Sequence, residues 1–341
     1  MRNVTLGLII GAALLVSGSL SLKATENKMK LWYDKPADEW MKSLPLGNGR
    51  LGVMIYGGIE TETLALNEST MWSGEYDEHQ QRPFGREKLN QVRKLFFENN
   101  LSEGNHVAGN MMAGSPHSVG THLPIGDLKI NFSYPQGEIS DYRHELDLHT
   151  AINTVSYKVG NTEYIRQCIA SNPDDVVAMH IKASRPKAIT IELELKLLRQ
   201  ANVVASGNQL IYTGNAEFEK HGKGGVHFEG RIAVQIKGGT IKAEGKKLYI
   251  EKATEVTLLS DVRTNFKNNT FSGYNYKIKC EKTIELASKK DFKTLKKKHI
   301  EDYSPLFSRV GLSFEHHAKF DHLPNDERWA RVKKGESDPG L

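Results

Sequence analysis

A long series of short strand-like segments is the feature that most constrains the fold of this chain. Within residues 128–262, apolar and polar residues alternate in short runs that are separated by turn signals such as Gly160-Asn161 and Asn172-Pro173. The clearest run is 189–197, in which every second residue is apolar and shares one face of a strand. Many short strands without interleaved helical patterns are typical of a sandwich or a barrel. We therefore predict a mainly β protein, a large antiparallel sandwich of two sheets. The predicted strands of this part are 128–132, 154–159, 164–170, 176–181, 189–197, 210–213, 227–236, 248–250 and 256–260.

A glycine-rich stretch, residues 44–74, precedes this series. Pro45, Gly47 and Gly49 indicate a tight bend, 51–56 is an apolar run of strand length, and Gly57-Gly58 is a hairpin signal. The segment ends in a polar loop around Trp72. The simplest interpretation is a hairpin with Trp72 as a core anchor.

Several motifs resemble glycoside hydrolase family 95, the α-L-fucosidase and α-L-galactosidase family. The first are WYDKPADEW, LPLGNGRLGVMIYGG and LNESTMWSG, followed by THLPIGDLKINF at 121–132 and HIEDYSPLFSRVGLSF at 299–314. They are separated and occur in the family's order, and the resemblance covers nearly everything after residue 29. It implies a β super-sandwich, then a linker helix, then a large helical barrel that would begin where this chain stops.

The domain organisation follows from these observations. We predict a signal peptide at 1–24, an N-terminal β-sandwich at 28–285 and a linker helix region at 286–310, with Asp291 as a helix N-cap. Residues 311–341 would start the segment leading to a helical barrel that is missing from this chain. The tail 324–341 has little apolar periodicity, so we expect it to be poorly ordered.

The first residues have the pattern of a targeting segment. Arg2 supplies a positive charge, residues 4–16 are apolar but short for a membrane span, and small residues precede a plausible cleavage point after Ala24. We expect an exported protein, periplasmic or extracellular, without a membrane span.

The charge distribution argues against nucleic-acid binding. The formal net charge is +5, and lysines are concentrated in 289–298 without interleaved aromatic residues. Such a run is typical of a solvated face.

Local patterns lead to further expectations. Residues 82–101 have the apolar spacing of a helix, 103–120 reads as a long loop, and 307–314 reads as a strand. Cys168 and Cys280 both fall in strand-like segments, and either a disulfide or two buried thiols fits the sequence.

Candidate catalytic carboxylates cluster near Trp72. Glu68, Glu75, Asp77 and Glu78 are close in sequence, and glycoside hydrolysis generally uses two carboxyl groups. Spacing in a loop sets no distance between them, and charged loop residues are common. The resemblance implies that the catalytic carboxylates lie in the barrel, so we assign no catalytic residue to this chain.

The same region supplies candidate substrate-binding residues. The face of Trp72 can pack on a pyranose ring, and Asn67, Glu68 and His122 can hydrogen-bond its hydroxyl groups. The alternative places Trp72 in the core and has His122 cap a turn.

We predict no cofactor and no metal. His117, His122 and the pair His316-His317 lack recognised ligand spacings, and GNGRLG is not a dinucleotide-binding loop.

The function that the resemblance implies is the N-terminal part of an exported α-L-fucosidase-like glycoside hydrolase. It would act on terminal α-L-fucosyl or α-L-galactosyl glycans, with the barrel as its partner, and be inactive alone. The alternative is a stand-alone glycan-binding or scaffold sandwich.

Overall fold

The computed structural model describes residues 29–74, 85–112, 120–218, 224–266, 275–311 and 318–341. The strands in these ranges are Lys30–Tyr33 (β1), Leu44–Gly47 (β2), Leu51–Ile55 (β3), Thr61–Glu68 (β4), Gly126–Phe132 (β5), Ile139–Asp147 (β6), Ile152–Val159 (β7), Thr162–Ser171 (β8), Val176–Ala183 (β9), Ile189–Leu197 (β10), Ala201–Ser206 (β11), Gln209–Asn215 (β12), His227–Lys237 (β13), Thr240–Glu244 (β14), Lys247–Ala253 (β15) and Glu255–Thr264 (β16). The α-helices are Arg86–Phe97 (α1), Leu101–Met112 (α2), Tyr276–Ser288 (α3), Phe292–Phe307 (α4) and Asn325–Lys333 (α5).

The strands form two sheets, and the predicted antiparallel two-sheet sandwich is confirmed. One sheet has nine strands in the order β1-β6-β7-β8-β9-β16-β13-β12-β11, and the other has seven in the order β14-β15-β10-β5-β4-β3-β2. Within each sheet, all pairs of neighbouring strands are antiparallel. The apolar residues of β10 alternate with polar ones as predicted, and Ile189, Ile191 and Leu193 are buried in the core between the sheets.

Helices α3 and α4 form a third layer on the outer face of the nine-stranded sheet. A second apolar cluster lies there, in which Ile284, Phe292 and Leu295 pack against sheet residues such as Ile169 and Leu259. The sheet is therefore apolar on both faces, which is why its central strands show weak alternation. No helix among the described residues combines the length and hydrophobicity needed to cross a bilayer.

The predicted N-cap of the linker helix is present. The Asp291 side chain accepts a hydrogen bond of 2.8 Å from the backbone N–H of Thr294 at the start of α4. Further along α4, His299 Nε2 donates to the carbonyl of Thr150 at 2.9 Å, and the Tyr303 hydroxyl donates to the carbonyl of Leu148 at 2.9 Å. Because these acceptors belong to the turn between β6 and β7, α4 is bound to the sandwich along its length.

The region between β4 and β5 differs from the prediction. The predicted helix is shorter, α1 ends at Phe97, and residues 101–112 of the expected loop form helix α2. Asn99, with a φ of 58°, ends the first helix, and Gly104 lets α2 approach it, since a Cβ there would lie 3.3 Å from the ring of Phe96. In the sequence, Gly104 indicates a loop, but in the structure it allows two helices to pack closely.

The C-terminal segments also differ. The strand expected at 307–314 is wrong for 307–311, because α4 continues to Phe307 and no strand follows before residue 312, where the next gap in the described residues begins. The tail contains the ordered helix α5, whose Asn325 Oδ1 accepts a 2.8 Å hydrogen bond from the N–H of Trp32 in β1. Arg328 also donates two hydrogen bonds to Asp338, at 2.6 and 2.8 Å. Polar contacts fix this tail in place. The prediction of poor order relied on missing apolar periodicity, which does not register such contacts.

The two cysteines are free and buried. Cys168 in β8 belongs to the core between the sheets, whereas Cys280 lies in helix α3 on the opposite face of the nine-stranded sheet, not in a strand as expected. The sheet separates the two sulfur atoms, which excludes the disulfide alternative. Burial raises the pKa of both thiols and makes them unreactive.

Candidate functional site

Trp72 and His122, which lie 50 residues apart in the sequence and are both predicted to bind substrate, are neighbours in space. They form an isolated antiparallel bridge, and their rings meet edge to face with centroids 5.9 Å apart. The backbone carbonyl of Trp72 also accepts a 3.0 Å hydrogen bond from the N–H of Val226. Three separate segments, those after β4, before β5 and before β13, therefore meet at Trp72.

The local pleat turns the Trp72 side chain outward. Its ring is 48% exposed, whereas the preceding Met71 is only 2% exposed and packs in the core. Leu123, which follows His122, is likewise buried. Because successive side chains of an extended segment point to opposite sides, Met71 and Leu123 anchor the loop and leave Trp72 and His122 at the surface. Trp72 is thus not a core residue in this fold.

The hydrogen bond of His122 determines which ring nitrogen is available. His122 Nε2 lies 3.0 Å from the backbone carbonyl of Glu68, which can only accept. In the neutral imidazole the proton is therefore on Nε2, and Nδ1 carries a lone pair that can accept a hydrogen bond.

Glu68 is directed into the protein. It is 2% exposed, and its carboxylate accepts hydrogen bonds from the backbone N–H of Thr70 at 2.7 Å and from the Thr70 hydroxyl at 2.8 Å. Burial raises the pKa of this carboxyl, opposed by the bonds from Thr70 and by Arg50, whose Nη1 is 3.8 Å away. A direct contact with a sugar would require Glu68 to leave these partners, so the geometry suits it to supporting the loop.

Asn67 lies beside Glu68 at the end of β4, opposite Gly52 in β3. It is half-buried, and within the described part of the chain its Oδ1 has no hydrogen-bond partner. Glu75, Asp77 and Glu78, like His117 and the pair His316-His317, lie outside the described residues.

A charged network beneath the site was not predicted. We call the set Arg50, Asp175, Asp261 and Arg263 the end network. Arg50 donates to Asp175 at 2.7 Å and to Asp261 at 2.6 Å. Arg263 also donates to both aspartates, with 2.9 Å to Asp261. The end network therefore connects the bend before β3 with the turn between β8 and β9 and with the end of β16.

The end network continues to the candidate site. The hydroxyl of Thr70, which holds the Glu68 carboxylate, also bonds the hydroxyl of Thr264 next to Arg263. Burial raises the pKa of the Asp261 carboxyl, opposed by Arg50 and Arg263, and the two aspartates raise the pKa of Arg263 against its burial. The sequence could not reveal this arrangement, since Arg50 and its partners are far apart along the chain.

Comparison with known proteins agrees with the family resemblance. Residues 31–269 match the model of the glycosyl hydrolase family 65 N-terminal domain, and residues 291–341 match that of the glycosyl hydrolase family 95 catalytic domain. Alpha-L-fucosidase 2 of Arabidopsis thaliana is 32% identical over 314 residues, covering 83% of this chain and 36% of that protein. Probable alpha-fucosidase A of Aspergillus niger is 28% identical over 316 residues, covering 83% of this chain and 37% of that protein.

A solved structure described as a putative kojibiose phosphorylase from the human microbiome has a TM-score of 0.49 and 14% identity, covering 81% of this chain and 37% of its own. The chain thus spans little more than a third of the length of these relatives. The family 65 N-terminal domain accounts for most of the residues described above. The chain therefore belongs to the glycosyl hydrolases that carry this N-terminal domain, and its residues 291–341 match part of a family 95 catalytic domain.

Proposed function

We propose that this chain supplies the β-sandwich of an α-L-fucosidase-like glycoside hydrolase and that Trp72 and His122 form one wall of its glycan site. The observation that carries the proposal is the exposed Trp72 ring beside an imidazole with an available acceptor. The two relatives named above are described as α-fucosidases, which supports a terminal α-L-fucosyl group as the ligand. Residues 1–24 would direct export, as their signal-peptide pattern predicts.

Each side chain has a distinct role in this proposal. The Trp72 ring packs against the apolar C–H face of the pyranose. His122 Nδ1 accepts a hydrogen bond from a sugar hydroxyl, and the half-buried Asn67 amide is a further polar contact at the base of the loop. The Glu68 carboxylate and Arg50 hold the loop in place from below.

The carboxyl groups that perform hydrolysis belong, in this proposal, to the catalytic domain. Inverting hydrolysis needs a general acid at the leaving oxygen and a base that activates water on the opposite face of the sugar. We expect this chain alone to bind a glycan weakly and not to cleave it, because the acid–base contribution to lowering the barrier would be absent.

Binding can be tested by saturation-transfer NMR with 2′-fucosyllactose, and with lactose for comparison. We expect magnetisation transfer to the fucose unit with a Kd of about 1 mM, and a loss of at least about tenfold in affinity for Trp72→Ala. Trp329→Ala is the matched control, since Trp329 is 53% exposed on α5, which contacts the edge strand β1, six strands away from β13 beside the Trp72 loop. Equal losses for both variants, or equal signals for lactose, would contradict the proposed wall.

The stand-alone binding module remains the second candidate, and the exposed Trp72 also favours it. A micromolar Kd for the chain by itself would support that candidate instead of a wall of a larger site. The same samples can be assayed for released fucose, with the product anomer read by NMR. Turnover would place catalytic carboxylates in this chain, and Glu68, Glu75 and Asp77 would be the first to replace.

A further inference from the structure

A pocket of about 590 Å³ lies on the outer face of the nine-stranded sheet, where α3 meets α4. Its floor includes Gln167, His180 and Thr257 from β8, β9 and β16. The pocket is far from the Trp72 loop. Roughly 24 Å of extended strand separates Thr257 from Thr264, the residue of β16 that contacts Thr70. It is therefore a separate feature of the molecule.

The wall of the pocket is strongly cationic. Its lysines are Lys182, Lys237, Lys289, Lys290, Lys293 and Lys296. The lining contains two carboxylates, Glu255 and Asp291. Four of these lysines come from the run 289–298 that the sequence suggested was merely a solvated face. The fold places them around a concavity, together with two lysines from the ends of β9 and β13.

Several of these charges are already neutralised. Lys290 pairs with the buried carboxylate of Asp174. Glu255 lies 3.5 Å from Lys237 and 4.0 Å from Lys182. Lys289 pairs at 2.6 Å with Glu285, a carboxylate that lies outside the lining. The Asp291 carboxylate caps α4.

Two lysines supply the excess positive charge. Within the described ranges, Lys293 and Lys296 have no carboxylate oxygen within 4.0 Å. Lys293 is exposed, and the Lys296 ammonium donates to the amide oxygen of Gln167 at 3.0 Å. They lie one turn apart on α4, so their ammonium groups can converge on one anionic group.

We propose that this pocket binds a saccharide carrying an oxyanion, either a sulfate ester or a uronate carboxylate, through Lys293 and Lys296. The cavity volume falls within the ~300–1,000 Å³ of small-ligand sites. Lysine ammonium groups form charge-assisted hydrogen bonds to such oxygens. The amide nitrogen of Gln167, whose oxygen accepts from Lys296, and the Thr257 hydroxyl, which bonds His180 Nδ1, add neutral polar atoms for hydroxyl groups. A nucleic acid fits poorly, because the lining aromatic residue, Phe292, is 6% exposed and stacks on His180 instead of offering a face to a base.

The proposal can be tested by calorimetry on the full chain with lactose 6′-sulfate, cellobiouronic acid and lactose. We expect at least one acidic sugar to bind at least about tenfold more tightly than lactose at low salt, because it forms charge-assisted hydrogen bonds that lactose cannot form. Raising NaCl from about 50 to 500 mM should weaken that binding, since added ions screen partly exposed charges. The stronger of the two acidic sugars identifies sulfate or carboxylate as the preferred group. Equal binding of lactose would overturn the proposal.

Paired variants separate a site from general attraction. Lys293→Gln/Lys296→Gln should weaken binding roughly tenfold. Lys297→Gln/Lys298→Gln removes the same charge from the same helix outside the lining and should change it little. Equal losses in both would overturn the proposal. A thermal melt checks folding, and Lys293→Gln alone, at an exposed position, provides a second test.

Inorganic sulfate supplies the remaining arm. Weak competition by sulfate, with the sulfated sugar bound more tightly than the ion, would support a saccharide site. If sulfate alone binds as tightly as lactose 6′-sulfate and competes with it, the pocket holds an adventitious ion only, and the saccharide assignment is overturned.

Discussion

Two groups of ion-paired side chains connect distant strands of this sandwich, and they differ in how far they are buried. The end network lies where β3 and β9 begin and β16 ends, and it contains two arginines and two aspartates that share bonds. The other group, which we call the inter-sheet pair, consists of Glu62 in β4 and Arg166 in β8, facing each other between the two sheets.

The inter-sheet pair is sealed. Both side chains have 0% exposure, and Arg166 Nη2 lies 3.3 Å from Glu62 Oε2. Glu62 Oε1 accepts the backbone N–H groups of Gly57 at 2.8 Å and Thr63 at 3.0 Å. The guanidinium lies over the rings of Phe132 and Tyr157, at 5.2 and 5.1 Å. Burial raises the pKa of the Glu62 carboxyl, with Arg166 opposing it.

The end network is partly open and redundant. The Asp175 side chain is 36% exposed and that of Arg50 is 21% exposed, and each aspartate has both arginines as partners. If one arginine is removed, the aspartates keep the other and water can reach part of the cluster. Removing Arg166 instead leaves Glu62 without the one cationic partner that it has among the described residues. The comparison teaches that the cost of a lost charge depends on what remains to solvate its partner.

The largest effect is expected for Arg166→Met. The substitution leaves a buried carboxyl unpaired, so we expect the free energy of unfolding to fall by about 3–5 kcal/mol in urea denaturation. The double variant Glu62→Gln/Arg166→Met should recover most of that loss, because no buried charge remains and the glutamine amide oxygen can still accept the backbone N–H groups of Gly57 and Thr63. A double variant as unstable as the single one would show that packing of the arginine stem dominates.

A second effect concerns His144, which is buried beside the inter-sheet pair. Burial, reinforced by Arg166, lowers the pKa of His144 to about 3, and its Nε2 accepts a 2.8 Å hydrogen bond from Asn153. As the pH falls below about 6.5, His144 therefore binds a proton in the unfolded chain but stays neutral in the folded chain. The stabilisation is present above pH 6.5 and is lost as pH falls towards 3.

Between pH 6.5 and 4.5 we expect the wild type to lose about 2 kcal/mol more stability than His144→Gln. Urea denaturation at several pH values measures the difference. The exposed His149 supplies the control His149→Gln, which should follow the wild type. Parallel pH profiles for wild type and His144→Gln would contradict a neutral buried imidazole.

A smaller effect is expected for Arg50→Lys in the end network. Lysine keeps the charge but loses the planar fork that reaches Asp175 and Asp261 together, and Arg263 still bonds both. We expect a loss of about 1–2 kcal/mol in urea denaturation. Arg185→Lys, at an exposed position, serves as the control. A loss as large as that of Arg166→Met would refute the redundancy.

Much of the fold was accessible from local patterns. The alternation in 189–197, the hairpin at Gly57-Gly58 and the cap at Asp291 each depend on neighbours in sequence, and all appear as predicted. Helix α2 and the tail helix α5 were missed, because a glycine in a helix contact and polar anchoring leave no apolar periodicity.

The candidate site shows the same division. The sequence alone determined the sandwich, its family and the residue types at Trp72 and His122, since these depend on short-range patterns and motifs. Only the tertiary structure decided that these rings meet, that Glu68 turns inward onto Thr70, and that the lysines of α4 surround a pocket. Such outcomes depend on contacts between residues far apart in the chain, whose energies no local pattern records.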